Sequence, residues 1–513
     1  MRNYFSYIIL GIFLMSLLTS CYRDKGNYSY ENLNEISIDL PDEVAVQQGM
    51  RLHLTPKLNF VLNDTEENLS YEWVISLPTS SDSANVVLST DRDFSEQISY
   101  TSGNTYPFSF KVTDNNTGVT YRKGMNLQVM TNYQQGYFIL EQYDNYSDIS
   151  FYNTQTDSVY YHVFSTVNPD VTLKSNSTDF FTIDYNGYTI RIGDEQTKVT
   201  AGNLCMVFGE DWGYVLDYRS CEVLSDMEQM FSVHPDKIRP QVLAKEENSP
   251  NFYLMNDGKL HRMYQDKGQT AFGEVFMTSD DLETELAPFI GTGFFYRGLV
   301  GVLFFDQGNH RFYSTTPATN LVFSDVKSIY KKENKDAEGN IVSYDTLINA
   351  AKMDPDWELI GFSKGGMSKT YYYMVFRTVD KLYATTYAIT GAGFSSGPLH
   401  VINEEECPGM RNSAVFMAPN GRAQLYYVNG NEIRLYDMSS NRSRVIYIFP
   451  AGEEVTALEF PTDNGLTLTA STWDGVKGSV YLFDLVNTGD LRDARPTAVK
   501  TNFGKIKKIV YKK

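Results

Sequence analysis

The chain has 513 residues, too many for one ordinary domain, and 42% of them are hydrophobic, enough for real cores. Its 63 Asp and Glu against 44 Lys and Arg give a formal charge of −19, which argues against binding nucleic acid or an anionic lipid surface through neutralised phosphates. Aromatic residues make up 14%, with 37 Tyr and 31 Phe, a composition that favours strands.

Residues 1–20 read as a signal peptide. Arg2 supplies a positive start, and Tyr7 to Leu18 is an apolar run. That run is shorter than the roughly 20 residues of a membrane span. The segment ends Leu18-Thr19-Ser20-Cys21. An apolar residue and two small residues before a cysteine resemble the lipobox of bacterial lipoproteins. The resemblance implies a diacylglycerol on the Cys21 sulfur and Cys21 as the new N-terminus. Several acyl chains on one residue hold a protein to a membrane far better than one, at about 0.8 kcal/mol per buried CH₂. Residues 21–32 follow as a tether.

From 33 to 131, short alternating runs are separated by turn chemistry. Ile36, Ile38 and Leu40 alternate before Pro41-Asp42, and Tyr71-Glu72-Trp73-Val74-Ile75 and Phe108 to Thr113 follow. Strands at this spacing with an early central Trp predict an immunoglobulin-like β-sandwich with Trp73 in its core. Thr113 to Gly118 reads as a turn between two strands; its oxygens make Ca²⁺ binding the alternative.

The residues Cys21-Tyr-Arg-Asp-Lys-Gly-Asn-Tyr-Ser-Tyr, Asn34-Glu35-Ile36, Tyr71-Glu72-Trp73 and Phe110-Lys-Val-Thr-Asp-Asn-Asn-Thr-Gly resemble the PKD-like family of Bacteroidetes lipoproteins. The resemblance covers the N-terminal quarter. It implies a lipoprotein of the outer membrane, displayed at the cell surface beside starch-utilisation-like uptake systems, with an accessory role in nutrient capture. It supplies no catalytic residues.

From 132 to 513 a four-strand pattern repeats. Its clearest copy is 412–449, with strands at Ser413–Ala418, Gln424–Val428, Glu432–Asp437 and Arg444–Phe449. Turns such as Asn256-Asp257-Gly258 and Asn429-Gly430-Asn431 are good hairpin signals. Seven units of about 50 residues predict a seven-bladed β-propeller. Lys505–Tyr511 reads as a first strand with no partners after it, and Gly136–Leu140 as a second strand with no first strand before it. The C-terminal strand 505–511 is therefore expected to close the first blade and remove the open edges. No helical periodicity is evident in this part of the chain. The charged stretch Lys331 to Asn340 reads as a protruding loop.

After Cys21, three cysteines remain. Cys205 and Cys221 are placed to face each other across a hairpin, where an exported chain could bond them; buried thiols are the alternative. Blade register puts the turns joining second to third strands on one face with the segments joining blades. Trp212, Trp473, Trp357, Tyr143, Tyr146, Asp306 and His310 fall on that face. Rings beside polar groups suit sugars or peptide side chains; Trp residues that merely pack between blades are the bland alternative.

Chemistry that needs a motif is missing. There is no HExxH and no phosphate loop, and the six histidines include no metal pair on one element. No metal or cofactor is expected. Gly361-Phe-Ser363-Lys-Gly365 and Gly393-Phe-Ser395-Ser-Gly397 lack the strand-turn-helix of a nucleophile elbow. His261 falls in a strand, where a satisfied structural role is expected. The leading expectation is a non-enzymatic binding lipoprotein. Its sandwich would act as a spacer, and its propeller would bind an oligopeptide or glycan, with a lean to peptides on family context. A transporter and its binding lipoprotein are the expected partners. A propeller lyase or glycoside hydrolase and a structural or adhesive protein are the alternatives.

Overall fold

The computed structural model describes residues 34–48, 50–62, 65–78, 83–100, 102–183, 189–192, 195–198, 204–245, 251–265, 268–273, 285–294, 300–315, 324–325, 331–346, 353–365, 371–390, 393–420, 422–462 and 464–512. The leader and Cys21 lie outside them. The chain forms two compact units: residues 34–100 with 104–129, and 102–103 with 130–512.

The first unit is a sandwich. Its main sheet has the order Glu43–Gln47, Thr120–Met130, Asn104–Asp114, Leu69–Pro78 and Ser83–Ser89. Two small pairs complete it, Ile36–Asp39 with Lys57–Phe60 and Arg51–Leu54 with Phe94–Gln97. Alternation sends Trp73, Phe108 and Phe110 to one side of the main sheet, where Phe94 meets them. The Trp73 ring lies 5.2 Å from Phe94, 5.5 Å from Phe108 and 4.3 Å from Phe110. Each such ring stabilises the core by roughly 1.5–3 kcal/mol through burial. The Trp73 indole N–H is not stranded there; it donates to the Asp91 carbonyl at 3.0 Å. In the Thr113–Gly118 segment, Asp114 accepts from Asn116 N at 2.9 Å and Thr117 Oγ1 at 3.0 Å, so its carboxylate closes an Asx-type turn.

The second unit is a seven-bladed β-propeller. Blade 1 runs from inside outward as Lys505–Lys512, Gly136–Gln142, Tyr146–Asn153 and Ser158–Tyr160, and blade 2 as Ser177–Ile183, Leu204–Gly209, Gly213–Asp217 and Val223–Asp226. Blade 3 shows Pro240–Lys245, Phe252–Asn256 and Lys259–Met263, and blade 4 Leu286–Phe294, Val300–Asp306, Arg311–Thr315 and Ser324–Asp325. Blade 5 holds Glu358–Gly365, Tyr371–Arg377, Leu382–Thr390 and Gly393–Ser396; blade 6 Phe416–Met417, Leu425–Asn429, Glu432–Asp437 and Arg442–Ile448; blade 7 Glu454–Glu459, Thr467–Trp473, Gly478–Asp484 and Ala498–Phe503. Within each blade the pairing is antiparallel. First strands of successive blades touch in order around the ring, and the last touches the first.

Hydrophobic second strands, buried on both faces, explain the stacking. Leu204–Gly209 is buried at every position, and so is Phe252–Asn256. Their alternate residues feed the cores between neighbouring blades: Phe252 and Leu254 pack toward blade 2 with Met263 of the third strand, while Tyr253 and Met255 pack toward blade 4 with Leu260 of the third strand. Ring closure comes from Lys505–Lys512 pairing with Gly136–Gln142, with Tyr137 opposite Tyr511 and Ile139 opposite Ile509.

Two details differ from the sequence reading, and a third decides between its alternatives. Lys331–Lys335 and Ile341–Thr346 form a β-hairpin rather than a loop; Asp336 accepts from Asn340 N at 2.8 Å, and Gly339 takes a left-handed φ of 87° to turn the chain. A short helix occupies Val163–Val167, too brief to leave a helical period. Cys205 and Cys221 are not joined; both remain buried thiols. Cys205 sits opposite Leu216, while Cys221 lies beyond the strand end in a turn with φ 64°, so the two are not cross-strand partners. Among the described residues no helix is long and apolar enough to cross a membrane.

Candidate functional site

All seven face candidates lie where the register puts them, at the end of the propeller that carries the turns after second strands and the entries to first strands. Tyr143 and Tyr146 flank that turn in blade 1, Trp212 ends it in blade 2, His310 ends it in blade 4 and Trp473 begins it in blade 7. Trp357 immediately precedes the first strand of blade 5. Sharing a face does not make them one site: they fall into separate groups with different surroundings.

Trp212 is packed. It is 7% exposed, its Nε1 donates to Asn176 Oδ1 at 2.7 Å, and it belongs to the core between blades 1 and 2. The fit is tight enough that a Cβ on Gly209 would lie 2.0 Å from the indole nitrogen. Asp306 is also structural. It is fully buried and accepts from Asn309 Nδ2 at 2.8 Å, Asn309 N at 3.2 Å and Glu285 N at 3.3 Å. Those bonds hold the turn that presents His310. Trp473 is half-buried, paired with Glu454 and Gly478 at the end of its strand.

Tyr143 and Tyr146 stack at 4.7 Å beside a polar network in blade 1. Buried Glu141 accepts from Tyr143 Oη at 2.9 Å, Gly504 N at 2.6 Å and the Ser150 hydroxyl. Burial raises its pKa, opposed by these donors. Asp148 accepts from Ile149 N, Ser165 N, Ser165 Oγ and the His162 imidazole, the last at 3.2 Å. Both carboxylates are thus occupied by the protein's own donors, the pattern of groups that anchor a loop.

Trp357 and His310 share one cleft. They line a cleft of about 300 Å³ between blades 4 and 5 with Phe289, Phe305, Pro288 and Pro355. Trp357 is half-buried and braced from behind by Tyr383, stacked at 4.3 Å, and by Phe376 at 5.6 Å. His310 adopts a left-handed φ of 51°, its carbonyl accepts from Met353 N at 2.8 Å, and its buried Nδ1 has no partner among the described residues. Glu358, on the rim, is held by Arg377 at 3.0 and 2.6 Å. A braced indole and apolar walls, with Gln307, Asp356 and Glu358 also lining the cleft, suit a ring or side chain with an apolar face and polar groups at its edge.

A second pocket on the same face, of about 500 Å³, lies where the segment Val233–Lys237 crosses the Asn256–Asp257 turn of blade 3. Sequence reasoning gave its His261 a satisfied structural role. Half of that holds: Nδ1 donates to the Gly273 carbonyl at 3.0 Å, while Nε2 is buried with no partner among the described residues. Leaving such an acceptor unmet costs about 1–3 kcal/mol. The sequence signal lay in the Lys259-Leu-His261 alternation, which puts His261 on the blade face with Lys259, but nothing local reveals that Nε2 lacks a donor.

The central channel carries charge. Lys508 lies 3.1 Å from Asp179, and burial pushes the nearby Glu459 carboxyl up to about 7 despite the Lys508 charge. All three are on first strands. Ser363, from one of the two GxSxG strings, lies in the first strand of blade 5 and accepts from Ala418 N at 2.8 Å. No group of three His, Cys, Asp or Glu that could hold a metal ion occurs among the described residues.

Comparison with known proteins bears on the two units differently. No curated protein matches the chain. Among solved structures, a quinonprotein alcohol dehydrogenase-like protein from Bacteroides thetaiotaomicron aligns at 13% identity over 93% of this chain and 97% of that one, with a TM-score of 0.44. The periplasmic gluconolactonase of Pseudomonas aeruginosa aligns at 11% identity over 74% and 98%, TM-score 0.43. A protein from Lactobacillus plantarum aligns at 10% identity over 74% and 99%, TM-score 0.41. The model of the PKD-like family matches residues 21–181, so the chain carries a PKD-like domain at its N-terminus.

Proposed function

We propose that the protein is a non-catalytic binding lipoprotein of the outer-membrane surface, accessory to a transporter-coupled uptake system, and that it takes an oligopeptide or glycan on the propeller face. The observation that carries the binding reading is the cleft between blades 4 and 5. There the Trp357 indole is backed by Tyr383 and faces a pocket that also holds His310. A ring braced in this way loses little freedom when a ligand stacks on it, so contact converts to affinity with a small ordering cost. The lipid anchor and surface display rest on residues 1–21 and on the PKD-like resemblance.

Trp357→Ala is expected to weaken binding of the cognate peptide or glycan by about tenfold or more, an aromatic anchor being the usual centre of binding energy. Fluorescence titration with peptide and glycan panels measures this. Equal binding by the variant would remove the cleft from the reading. Affinity capture of the anchored protein from native outer membranes tests the uptake role, with recovery of a transporter as the expected result.

A hydrolase reading draws on the Asp148–His162 pair and buried Glu141. Because each carboxylate already accepts three or more hydrogen bonds, we place these groups in the scaffold of blade 1 instead.

A further inference from the structure

We propose that the pocket between blades 2 and 3 is a second ligand subsite, specific for a hydroxylated carboxylate such as a uronic acid residue, with His261 receiving a ligand hydroxyl and Lys259 facing the carboxylate. The inference rests on the reading of this propeller end as a binding face, and it supplies a ligand class which that reading leaves open.

The hydroxyl is required by His261. The residue is 1% exposed and forms part of the pocket wall. Its Nδ1–H is committed to the Gly273 carbonyl at 3.0 Å, which fixes the tautomer and leaves Nε2 as a lone pair. The ring packs edge-on to Phe231 at 4.9 Å, which supports the orientation set by the Gly273 bond. Burial, with the Lys259 charge nearby, lowers its pKa and keeps the imidazole neutral. A neutral, buried acceptor with no partner among the described residues calls for a donor such as a hydroxyl. Nε2 is shielded from solvent, so seating that donor requires the pocket wall around it to yield.

The carboxylate is indicated by the charge at the mouth. In a chain of net charge −19, the pocket is bordered by exposed Lys237 and Lys259. Of the two acids that line it, Asp236 is exposed, and Asp257 is shared between Arg239 at 3.6 Å and Lys237 at 3.9 Å. Asn256 is spent on the turn, donating to the Lys237 carbonyl at 2.8 Å and accepting from Arg239 N at 2.7 Å. Lys259 lies on the same strand face as His261, two residues away, where it can meet an anion attached to the hydroxyl-bearing skeleton.

The test is calorimetric titration of the full chain with D-galacturonate, D-glucuronate, methyl galactoside and propionate. The uronates are expected to bind about tenfold or more tightly than the neutral glycoside or the simple acid, each of which satisfies one group only. His261→Phe should abolish uronate binding. Lys259→Gln, at an exposed position that leaves the fold intact, should erase the preference for uronate over methyl galactoside. Trp357→Ala should leave uronate binding unchanged, which separates this subsite from the cleft between blades 4 and 5. Uronates binding no more tightly than the controls, or binding Lys259→Gln as well as the parent, would overturn the proposal.

Discussion

At the scale of single residues, burial separates side chains that share a face. Trp212 of blade 2 and Trp357 at the entry to blade 5 lie at the same end of the propeller, yet one is enclosed with Asn176 on its nitrogen and the other walls a cleft. Trp212→Ala should therefore lower stability by about 3–5 kcal/mol, the usual cost of removing a buried Trp, while binding at the Trp357 cleft persists in the folded fraction. Chemical denaturation of the variant measures this. Lys512 offers a second residue-scale prediction. It is 2% exposed, donates to the Tyr218 carbonyl at 2.5 Å, and its ammonium sits 4.3 Å from the Tyr218 ring and 5.3 Å from Phe138. Burial lowers its pKa to about 8 from an ordinary 10.5, so between those values the unfolded chain binds more protons than the folded one. Its charge thus opposes folding below pH 8, and the opposition fades as pH rises toward 10.5. The difference in melting temperature between parent and Lys512→Met should shift in the parent's favour across that window, and a pH-independent difference would contradict the assignment.

At the scale of elements, strands were legible wherever apolar residues ran on between turn signals. Tyr371–Arg377 and Leu425–Asn429 stand out as continuous apolar runs, and Asn429-Gly430-Asn431 marks the hairpin that follows the second of them. The hairpin at 331–346 was not legible, because charge dominates Lys331–Lys335 and its pairing depends on a partner ten residues on. The candidate site was only partly legible. Register placed Trp357 and His310 at the same end, but the cleft they share depends on the packing of blade 4 against blade 5. The burial of Trp212 likewise depends on Asn176, 36 positions earlier. Ring closure is the most direct element-scale test. Ile506 and Ile509 are each 1% exposed in the core that joins blades 7 and 1. Deleting residues 505–513 removes that packing and bares one edge of Gly136–Gln142. The truncated chain should melt several degrees lower or aggregate, while the signal of the N-terminal sandwich persists. Unchanged propeller melting in scanning calorimetry would contradict closure by this strand.

At the scale of the whole molecule, seven similar sheets make a ring whose functional variety is confined to its ends, because the sheet interiors are taken up by packing. The two pockets illustrate this: each forms where a segment entering a first strand crosses a turn. The closing strand also imposes an order of events on the chain. Gly136–Gln142 leaves the ribosome some 370 residues before its inner partner Lys505–Lys512. For that interval Tyr137, Ile139 and the backbone groups along one side of the strand wait without their mate. Pairings so distant in sequence form slowly. Blade 1 is therefore both the first propeller sheet to be made and the last to be completed, and it is there that a chaperone would have most to protect.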